Sequence, residues 1–303
     1  MIRIAPFGRL LAVTAAASLA LAACSGGGED AAQPATGASS APASSAPAAA
    51  QGDGTLTIGT LLPATGSLAF LGPPEFAGVR LAVNEINEAG GVLGKEVVLI
   101  DTDSGDTSTN IASQSVDKLL QQKVDAIIGA ASSSVSLTVI DKITGAGVIQ
   151  MSPANTSDQF TTYDDKGLYF RTAPPDVLQG RVLGDLILAD GNDPVGILAL
   201  QDAYGTGLAD NAQKTIEAGG GQVVEKVIYD PKAAEYSADV AKIKAANPKA
   251  IALIGFDETK KIVPELVKQG LTADKVKWYF VDGNLSNYGT GPDGFPKGTL
   301  KGA

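Results

Sequence analysis

The stretch of residues 124–151 reads VDAIIGAASSSVSLTVIDKITGAGVIQM. It begins with an apolar run over 124–130, continues through small residues into a segment with helical features, and ends with a second apolar run over 147–151. Two apolar strands joined by a helix form a parallel pair, because parallel strands need a crossover connection rather than a tight turn. The stretch therefore predicts one β-α-β unit.

The same alternation extends in both directions over residues 55–281. The other predicted strands are TLTIGTL (55–61), EVVLID (96–101), VGILAL (195–200), QVVEKVIY (222–229), AIALIG (250–255) and VKWYFV (276–281). Between the first two, apolar residues recur at helical spacing and a glycine pair ends the helix, at Phe76, Val79, Val83, Ile86, Gly90 and Gly91. Because the strands are largely apolar, we expect helices to cover both faces of each parallel sheet.

The alternation pauses once, at KGLYFRTAPPDVLQG (166–180), which predicts a crossing between two lobes. The predicted fold class is α/β, with two doubly wound parallel-sheet lobes joined by a hinge, lobe one over 55–172 and lobe two over 173–297. The segment GTLKGA (298–303) has the pattern of a strand start and is interpreted as the beginning of a second hinge crossing. On this interpretation the chain is truncated, and lobe one lacks its C-terminal return segment.

The N-terminus has the build of a lipoprotein signal peptide over residues 1–23. A basic start precedes an apolar run that is shorter than the ~20 residues needed to span a bilayer. The tetrapeptide LAAC (21–24) resembles the bacterial lipobox, and an ordinary signal peptide followed by an unrelated cysteine is the alternative. Residues 24–54 are rich in alanine, serine, glycine and proline and predict a disordered tether. We expect an extracytoplasmic protein, anchored to the outer face of the cell membrane by a lipid on Cys24.

The composition argues against several classes of function. The chain carries 23 basic and 33 acidic residues, a net charge of −10, and loss of the two signal-peptide arginines gives 21 − 33 = −12. Such an acidic surface argues against a nucleic-acid partner. Histidine is absent and there is one cysteine, so the sequence offers no serine-histidine-aspartate triad, no thiolate metal cluster and no internal disulfide. We expect no enzyme activity, no cofactor and no bound metal.

Polar residues follow several of the predicted strands. In open parallel sheets, ligands bind beyond the carboxyl ends of the strands, where helix N-termini direct free N–H groups outward. Lobe one supplies hydroxyls there, in the serine run 132–134 and at Thr156, whereas lobe two supplies Tyr204, Phe256 and Asp282. This division suits a zwitterion, whose carboxylate would bind hydroxyls and amides and whose ammonium would pair with an acid.

These residues also have structural interpretations. Serines before a helix most often cap it, and Tyr204 at a helix start is equally compatible with local packing. Asp282 is compatible with a turn. The common position of these residues at one cleft favours ligand binding over the separate structural interpretations.

Five stretches carry a resemblance to a known family. In order they are IGTLLPATGSLAFLGPPEFAGVRLAVNEINEAGGVLG (58–94), DSGD (103–106), IIGAASSSVSLTVIDKITGAGVIQMSPANTS (127–157), QDAYGTGLAD (201–210) and YFVDG (279–283). Together they resemble the type I periplasmic solute-binding proteins of the leucine/isoleucine/valine-binding class, over residues 55–303. The resemblance implies a protein that captures a small solute between two hinged lobes and delivers it to an ABC permease.

The resemblance implies roles for four residues of lobe one. Ser133 matches a serine that holds the ligand carboxylate. Thr156 matches a threonine that shares this task through its hydroxyl and its amide. Ala154 matches a position whose backbone carbonyl accepts from the ligand ammonium, and Asn155 lies between the two.

In lobe two the resemblance implies that Tyr204 and Phe256 are aromatic residues beside the ligand and that Asp282 pairs with its ammonium. Two departures from the family pattern concern the pocket. Leu71 stands where branched-chain binders commonly carry an aromatic residue, with Phe70 as the candidate replacement. Asp282 is one methylene shorter than the glutamate often found at this position.

The serine run is assigned by the same resemblance. Ser132 stands where some members carry a disulfide cysteine, and it is a further candidate pocket residue. We expect Ser133 to be the ligand contact, with Ser132 as the helix cap and Ser134 as a spacer. Members of the class cross between lobes three times, and this chain ends near the second crossing, so we expect the returning part of lobe one to be missing.

The sequence therefore predicts a monomeric extracytoplasmic lipoprotein that binds a small amino acid by lobe closure and delivers it to an ABC importer. A branched-chain amino acid is the favoured ligand. The alternatives are a binding protein for urea, short amides or another small polar solute, and a ligand-sensing subunit of a membrane receptor. The sequence alone does not separate transport from sensing.

Overall fold

The computed structural model describes residues 52–285 and 294–303, so the predicted signal peptide, Cys24 and most of the predicted tether lie outside the described residues. The helices in these two ranges include none that is long and apolar enough to cross a membrane. The described chain forms two parallel sheets with helices between consecutive strands.

Lobe one holds a five-stranded parallel sheet in the order β2-β1-β3-β4-β5. Its strands are β1 (Thr57–Leu62), β2 (Val98–Asp103), β3 (Ala126–Gly129), β4 (Ile149–Ser152) and β5 (Tyr169–Arg171). Its helices are α1 (Gly72–Glu88), α2 (Ile111–Gln121) and α3 (Ser133–Gly145), with a 3-10 turn over Asp158–Thr162. Because β1, β3 and β4 are neighbours, the loops that follow them meet at one edge of the sheet.

Lobe two holds a four-stranded parallel sheet in the order β7-β6-β8-β9. Its strands are β6 (Val195–Leu200), β7 (Val223–Tyr229), β8 (Ala250–Ile254) and β9 (Lys277–Phe280). Its helices are α4 (Asp176–Ala189), α5 (Ala203–Ala218), α6 (Ser237–Ala245) and α7 (Thr259–Lys268), with a 3-10 turn over Asp282–Asn284. The predicted fold class, α/β with two parallel-sheet lobes, is confirmed.

All eight predicted strands form, with ends displaced by at most two residues. The strand β5 was missed, because its three residues lie inside the segment interpreted as the crossing, and so short an edge strand shows no alternation. The prediction of a strand start over 298–303 is wrong, since residues 297–302 form turns, whereas the second hinge crossing stays a prediction. The boundaries proposed for the lobes stay a prediction.

The two sheets differ in how completely they are covered. All residues of β6 and β8 are buried, and Trp278 on β9 is 1% exposed. In lobe one, a core around Leu61, Ile127 and Ile143 is fully buried, but Val98, Ile149, Met151 and Phe170 are 37–51% exposed. The expectation of two covered faces therefore holds for lobe two and is wrong for lobe one within the described residues.

Candidate functional site

A small pocket lies between the carboxyl ends of the strands of the two lobes. Its open volume is about 30 Å³, and it is lined by Leu68, Leu71, Ala131, Ser132, Ser133, Ala154, Thr156, Tyr204, Phe256, Asp282 and Gly283. Except for Asn155 and Phe70, every ligand or pocket residue predicted from the sequence is in this lining. The topology explains the convergence, because the loops after neighbouring parallel strands meet at one edge of each sheet.

The N-terminus of α3 presents Ser133 to the pocket. Ser132 is the N-cap residue, and its Oγ accepts from the backbone N–H of Val135 at 3.3 Å, as predicted for the cap. Ser133 Oγ accepts from the N–H groups of Thr156 and Ser157, both at 3.2 Å. Because a serine hydroxyl has two lone pairs and one proton, these bonds leave the Ser133 proton as the group to donate.

The loop after β4 places Thr156 beside Ser133. The backbone N–H of Thr156 donates to Ser133 Oγ, and the expectation that this amide binds the ligand stays a prediction. Thr156 Oγ1 is buried and has no hydrogen-bond partner among the described residues. Lobe one therefore offers two hydroxyl groups, and two backbone N–H groups hold the Ser133 oxygen beside the loop that carries Thr156.

Asn155, predicted as a ligand-binding residue, does not line the pocket. Its side chain is fully buried, and Nδ2 donates to the carbonyls of Ala130 at 3.0 Å and Ala131 at 2.7 Å. Its Oδ1 accepts from the Tyr169 hydroxyl at 2.9 Å. These bonds occupy both ends of the amide, so Asn155 ties the β3 and β4 loops to the edge strand β5.

The wall from lobe two combines aromatic rings with a carboxylate. The rings of Tyr204 and Phe256 are stacked, with centroids 5.5 Å apart and planes at 4°. The Tyr204 hydroxyl donates to Asp282 Oδ1 at 3.0 Å, and Gln179 Nε2 donates to the same oxygen at 2.7 Å. Burial, together with the charge of Asp282, raises the pKa of Tyr204 well above its ordinary value. Gln179 lies on α4 and had no distinguishing sequence signal.

Small and apolar residues form the remaining surface of the pocket. Leu71 and Leu68 approach from the loop before α1. Phe70 is half-buried against the core of lobe two and does not line the pocket, and its role as a replacement aromatic stays a prediction. At Gly283 an added Cβ would lie 2.9 Å from Tyr204 Cε1, which explains the glycine. Leu68, Ala131 and Gly283 were missed because small and aliphatic residues carry no chemical signal.

Ser134 links the lobes directly and is not the predicted spacer. Its Oγ donates to Asp202 Oδ2 at 3.2 Å and accepts from the Ala203 N–H at 2.9 Å. Asp202 caps α5 through Gly205, and burial raises the pKa of Asp202 to about 6. With the lobes in contact, the pocket has about the volume of one water molecule, so an amino acid can enter only when the lobes separate.

A second, larger cavity adjoins the pocket through Ser132 and Phe256. It has a volume of about 300 Å³, and most of its lining is polar, including Asp202, Asp230 and Glu258. Glu258 Oε1 accepts from Tyr229 and from the Phe256 N–H. Across the two described ranges, no group of three or more acidic, histidine or cysteine side chains is placed to hold a metal ion.

Three comparisons relate the chain to known proteins. Residues 55–292 match the sequence profile of the family described as periplasmic binding protein. The Leu/Ile/Val-binding protein homolog 3 of Brucella melitensis is 31% identical over 208 residues, 66% of this chain and 54% of the relative. An amino acid binding protein of Pseudomonas aeruginosa is 30% identical over 226 residues, 72% of this chain and 59% of the relative.

Among solved structures, the branched-chain amino acid transporter substrate binding protein LivJ of Streptococcus pneumoniae, in complex with isoleucine, superposes with a TM-score of 0.65. It is 29% identical and is matched over 76% of this chain and 64% of its own length. The chain thus spans less than two thirds of the length of each of these relatives.

Proposed function

The chain belongs to the periplasmic binding protein family, and we propose that it is an extracytoplasmic substrate-binding protein that captures a small amino acid between its lobes and delivers it to an ABC importer. One observation carries the proposal. A single interlobe pocket combines hydroxyl donors from lobe one with a carboxylate from lobe two. These are the partners that the two charged ends of an amino acid require.

The carboxylate of the solute would bind the lobe-one wall. Ser133 has its proton to donate, and Thr156 adds a hydroxyl without a partner in the described chain. A hydrogen bond to a charged group contributes about 1.5–3 kcal/mol. Ser133 is already held by two backbone N–H groups, so its hydroxyl binds with little further ordering of the side chain.

The ammonium would pair with the Asp282 carboxylate of lobe two and with the backbone carbonyl of Ala154 of lobe one. Asp282 already accepts from Tyr204 and Gln179, which hold its carboxylate toward the pocket. An ammonium has three donors and can use the oxygens that these bonds leave available. Asp282 is on a different lobe from Ser133 and Thr156, so the solute contacts all three only when the lobes close, and it stabilises that state by its differential contacts.

A branched-chain side chain is the first candidate for the apolar part of the solute. Leu68, Leu71 and the stacked ring of Phe256 supply an apolar surface, and the named relatives include Leu/Ile/Val-binding homologues. The polar cavity of about 300 Å³ favours the alternative, a small polar solute such as an amide or urea. The difference of one methylene in an apolar pocket is worth only about 1–3 kcal/mol, so related side chains compete.

A thermal-shift screen of the protein against the amino acids, urea and short amides tests the proposal. A solute present at about 100 times its Kd adds about 2.7 kcal/mol of stability, which gives a clear rise in Tm. We expect amino acids to give the largest shifts. A response to urea or amides alone would favour the polar-solute alternative, and no response to any solute would contradict solute binding.

We further propose that a lipid on Cys24 anchors the protein to the outer face of the membrane, where it serves as a monomer. Cys24 lies outside the described residues, and the lipobox-like sequence LAAC (21–24) supports the proposal. Replacement of Cys24 by serine is expected to release the protein from the membrane fraction. Genes for a permease and an ATPase beside its own would support transport, whereas a lone receptor kinase would favour sensing.

A further inference from the structure

A buried carboxyl group lies behind the lobe-one wall of the pocket. Asp176 is the first residue of α4, and none of its surface is exposed. Its backbone N–H donates to the carbonyl of Thr156 at 2.8 Å. Neither oxygen of its carboxyl group has a hydrogen-bond partner among the described residues. Burying such a group unpaired is costly, so its position calls for a functional explanation.

Asp176 is positioned to act on Thr156. The Thr156 hydroxyl lies beside the carboxyl group, is itself buried without a partner in the described chain, and lines the pocket. On the opposite side, α5 packs closely, and an added Cβ at Gly207 would lie 3.2 Å from Asp176 Oδ2. The carboxyl group is thus enclosed between the pocket wall and α5.

The charges around Asp176 favour its neutral form. The ionisable groups that face it from the surrounding elements are Asp158, Arg171, Asp202 and Tyr204. Arg171 donates to the Ser157 carbonyl at 2.8 Å and to Thr161, which directs its guanidinium to that turn. Burial raises the pKa of Asp176 to about 7, with Asp158 and Asp202 adding to the rise and the Thr156 hydroxyl and Arg171 opposing it.

Building on the proposed function, we infer that Asp176 is a positioning residue for the solute carboxylate. Its protonated carboxyl group donates a hydrogen bond to Thr156 Oγ1, and Thr156 then donates its own proton into the pocket. A threonine hydroxyl carries one proton, so an ionised Asp176 would accept that proton instead. Ionisation would also place a negative charge behind the bound carboxylate. Both effects weaken binding of an anionic group.

The protonation state of Asp176 determines how the affinity for the solute changes with pH. The solute binds the protein in which Asp176 is protonated, so affinity is full below about pH 7 and falls above it. A single linked proton lowers the affinity by up to about tenfold per pH unit. Above that pH, binding takes up a proton from the solvent.

Calorimetric titration with L-leucine, or with the amino acid that gives the largest thermal shift, tests this between about pH 5.5 and about pH 8.5. We expect the affinity of the unmodified protein to fall by tenfold or more over the alkaline part of this range. Asp176→Asn keeps a donor that does not titrate, and we expect it to bind with nearly constant affinity. Thr156→Val removes the hydroxyl that accepts from Asp176. We expect it to bind the amino acid more weakly, with an affinity that no longer depends on pH.

Asp158→Asn is the matched control, because Asp158 is a neighbouring acid whose carboxylate is bonded to Val177 and Asn211. It should retain the pH dependence, with a shifted midpoint. Proton uptake by the unmodified protein, measured in buffers of different ionisation heat, gives a readout that requires no variant. A constant affinity without proton uptake, or an unchanged pH profile in Asp176→Asn, overturns the inference. Failure of the unmodified protein to bind any amino acid contradicts the proposed function itself.

Discussion

The two lobes use parallel sheets of the same kind, but they cover them differently. In lobe two, β6 and β8 are buried along their whole length. In lobe one, β4 alternates between buried and exposed residues, and Ile149 and Met151 are 41% and 37% exposed. Because strand pairing is parallel in both, the difference lies in the layers that cover the sheets. Lobe two is the better-packed unit of the described chain.

The walls that the lobes present to the pocket differ in a second way. Lobe one fixes its hydroxyls through backbone groups, since Ser133 Oγ accepts from two main-chain N–H groups. Lobe two orients its acid through the side chains of Tyr204 and Gln179. The main chain therefore fixes the Ser133 contact of the carboxylate subsite, whereas Asp282 is held by side chains, which can adjust when the lobes close. Four substitutions, three of them with a control variant, test the differences between the lobes in core packing and in the pocket walls. They follow in order of decreasing expected effect.

Two isoleucine substitutions, one in each lobe, should differ most in their effect on the free energy of unfolding. Ile251 on β8 is fully buried, and Ile251→Ala should lower the free energy of unfolding by about 2–5 kcal/mol through lost burial and a cavity. Ile149→Ala on β4 is the matched control, with an expected change within about 0.5 kcal/mol. Chemical denaturation measures both. Equal losses of unfolding free energy in the two variants would contradict the difference in burial between the two sheets.

Asp282→Ala removes the carboxylate of the lobe-two wall and leaves the donors of Tyr204 and Gln179 unpaired. We expect a loss of about 2–5 kcal/mol in the binding of an amino acid. Asp185→Ala, an exposed acid on α4 with an i,i+4 ion pair to Arg181, is the control and should bind normally. Calorimetry distinguishes the two variants. An unchanged affinity in Asp282→Ala would show that Asp282 does not bind the ammonium.

Ser133→Ala removes one donor from the carboxylate subsite, for an expected loss of about 1.5–3 kcal/mol in binding. It also leaves the N–H groups of Thr156 and Ser157 without their acceptor, so the unfolding free energy should fall. Ser132→Ala removes a helix cap instead, and should cost about 1 kcal/mol of stability with little change in affinity. The same affinity in both variants would contradict the separate roles of the two serines.

Ser134→Ala tests the direct contact between the lobes. It removes the bonds to Asp202 and Ala203, so the closed state should lose about 0.5–1.5 kcal/mol. Small-angle scattering of the solute-free protein should show a larger radius of gyration, and the Kd should rise by less than in Ser133→Ala. Scattering identical to that of the unmodified protein would show that this contact does not hold the lobes together.

The sequence predicted much of the fold because strand and helix periods alternate clearly from residue 55 onward. It also predicted most of the pocket lining, since the ends of neighbouring parallel strands must meet. It did not predict β5, whose three residues are too few to show a period. Which strand residues of lobe one lack cover could not be predicted from the strands themselves, because an apolar strand has the same sequence pattern whether or not another layer covers it.

Individual side-chain roles were less predictable than their positions. Asn155 and Thr156 are adjacent and both polar, yet Asn155 is bonded into the loop scaffold while Thr156 lines the pocket. Asp176 and Gln179 follow a proline pair, and this pattern predicts a crossing between lobes but no binding site. Only the packing of α4 against the pocket wall identifies these two residues.

The central claim is that lobe one binds the carboxylate and lobe two the ammonium of one amino acid. The most direct test is calorimetry of Ser133→Ala and Asp282→Ala with L-leucine, L-leucinamide, which lacks the carboxylate, and 4-methylpentanoate, which lacks the ammonium. We expect Ser133→Ala to weaken binding of leucine and 4-methylpentanoate but not of leucinamide. We expect Asp282→Ala to weaken binding of leucine and leucinamide but not of 4-methylpentanoate. Equal losses for all three compounds in both variants would contradict the central claim.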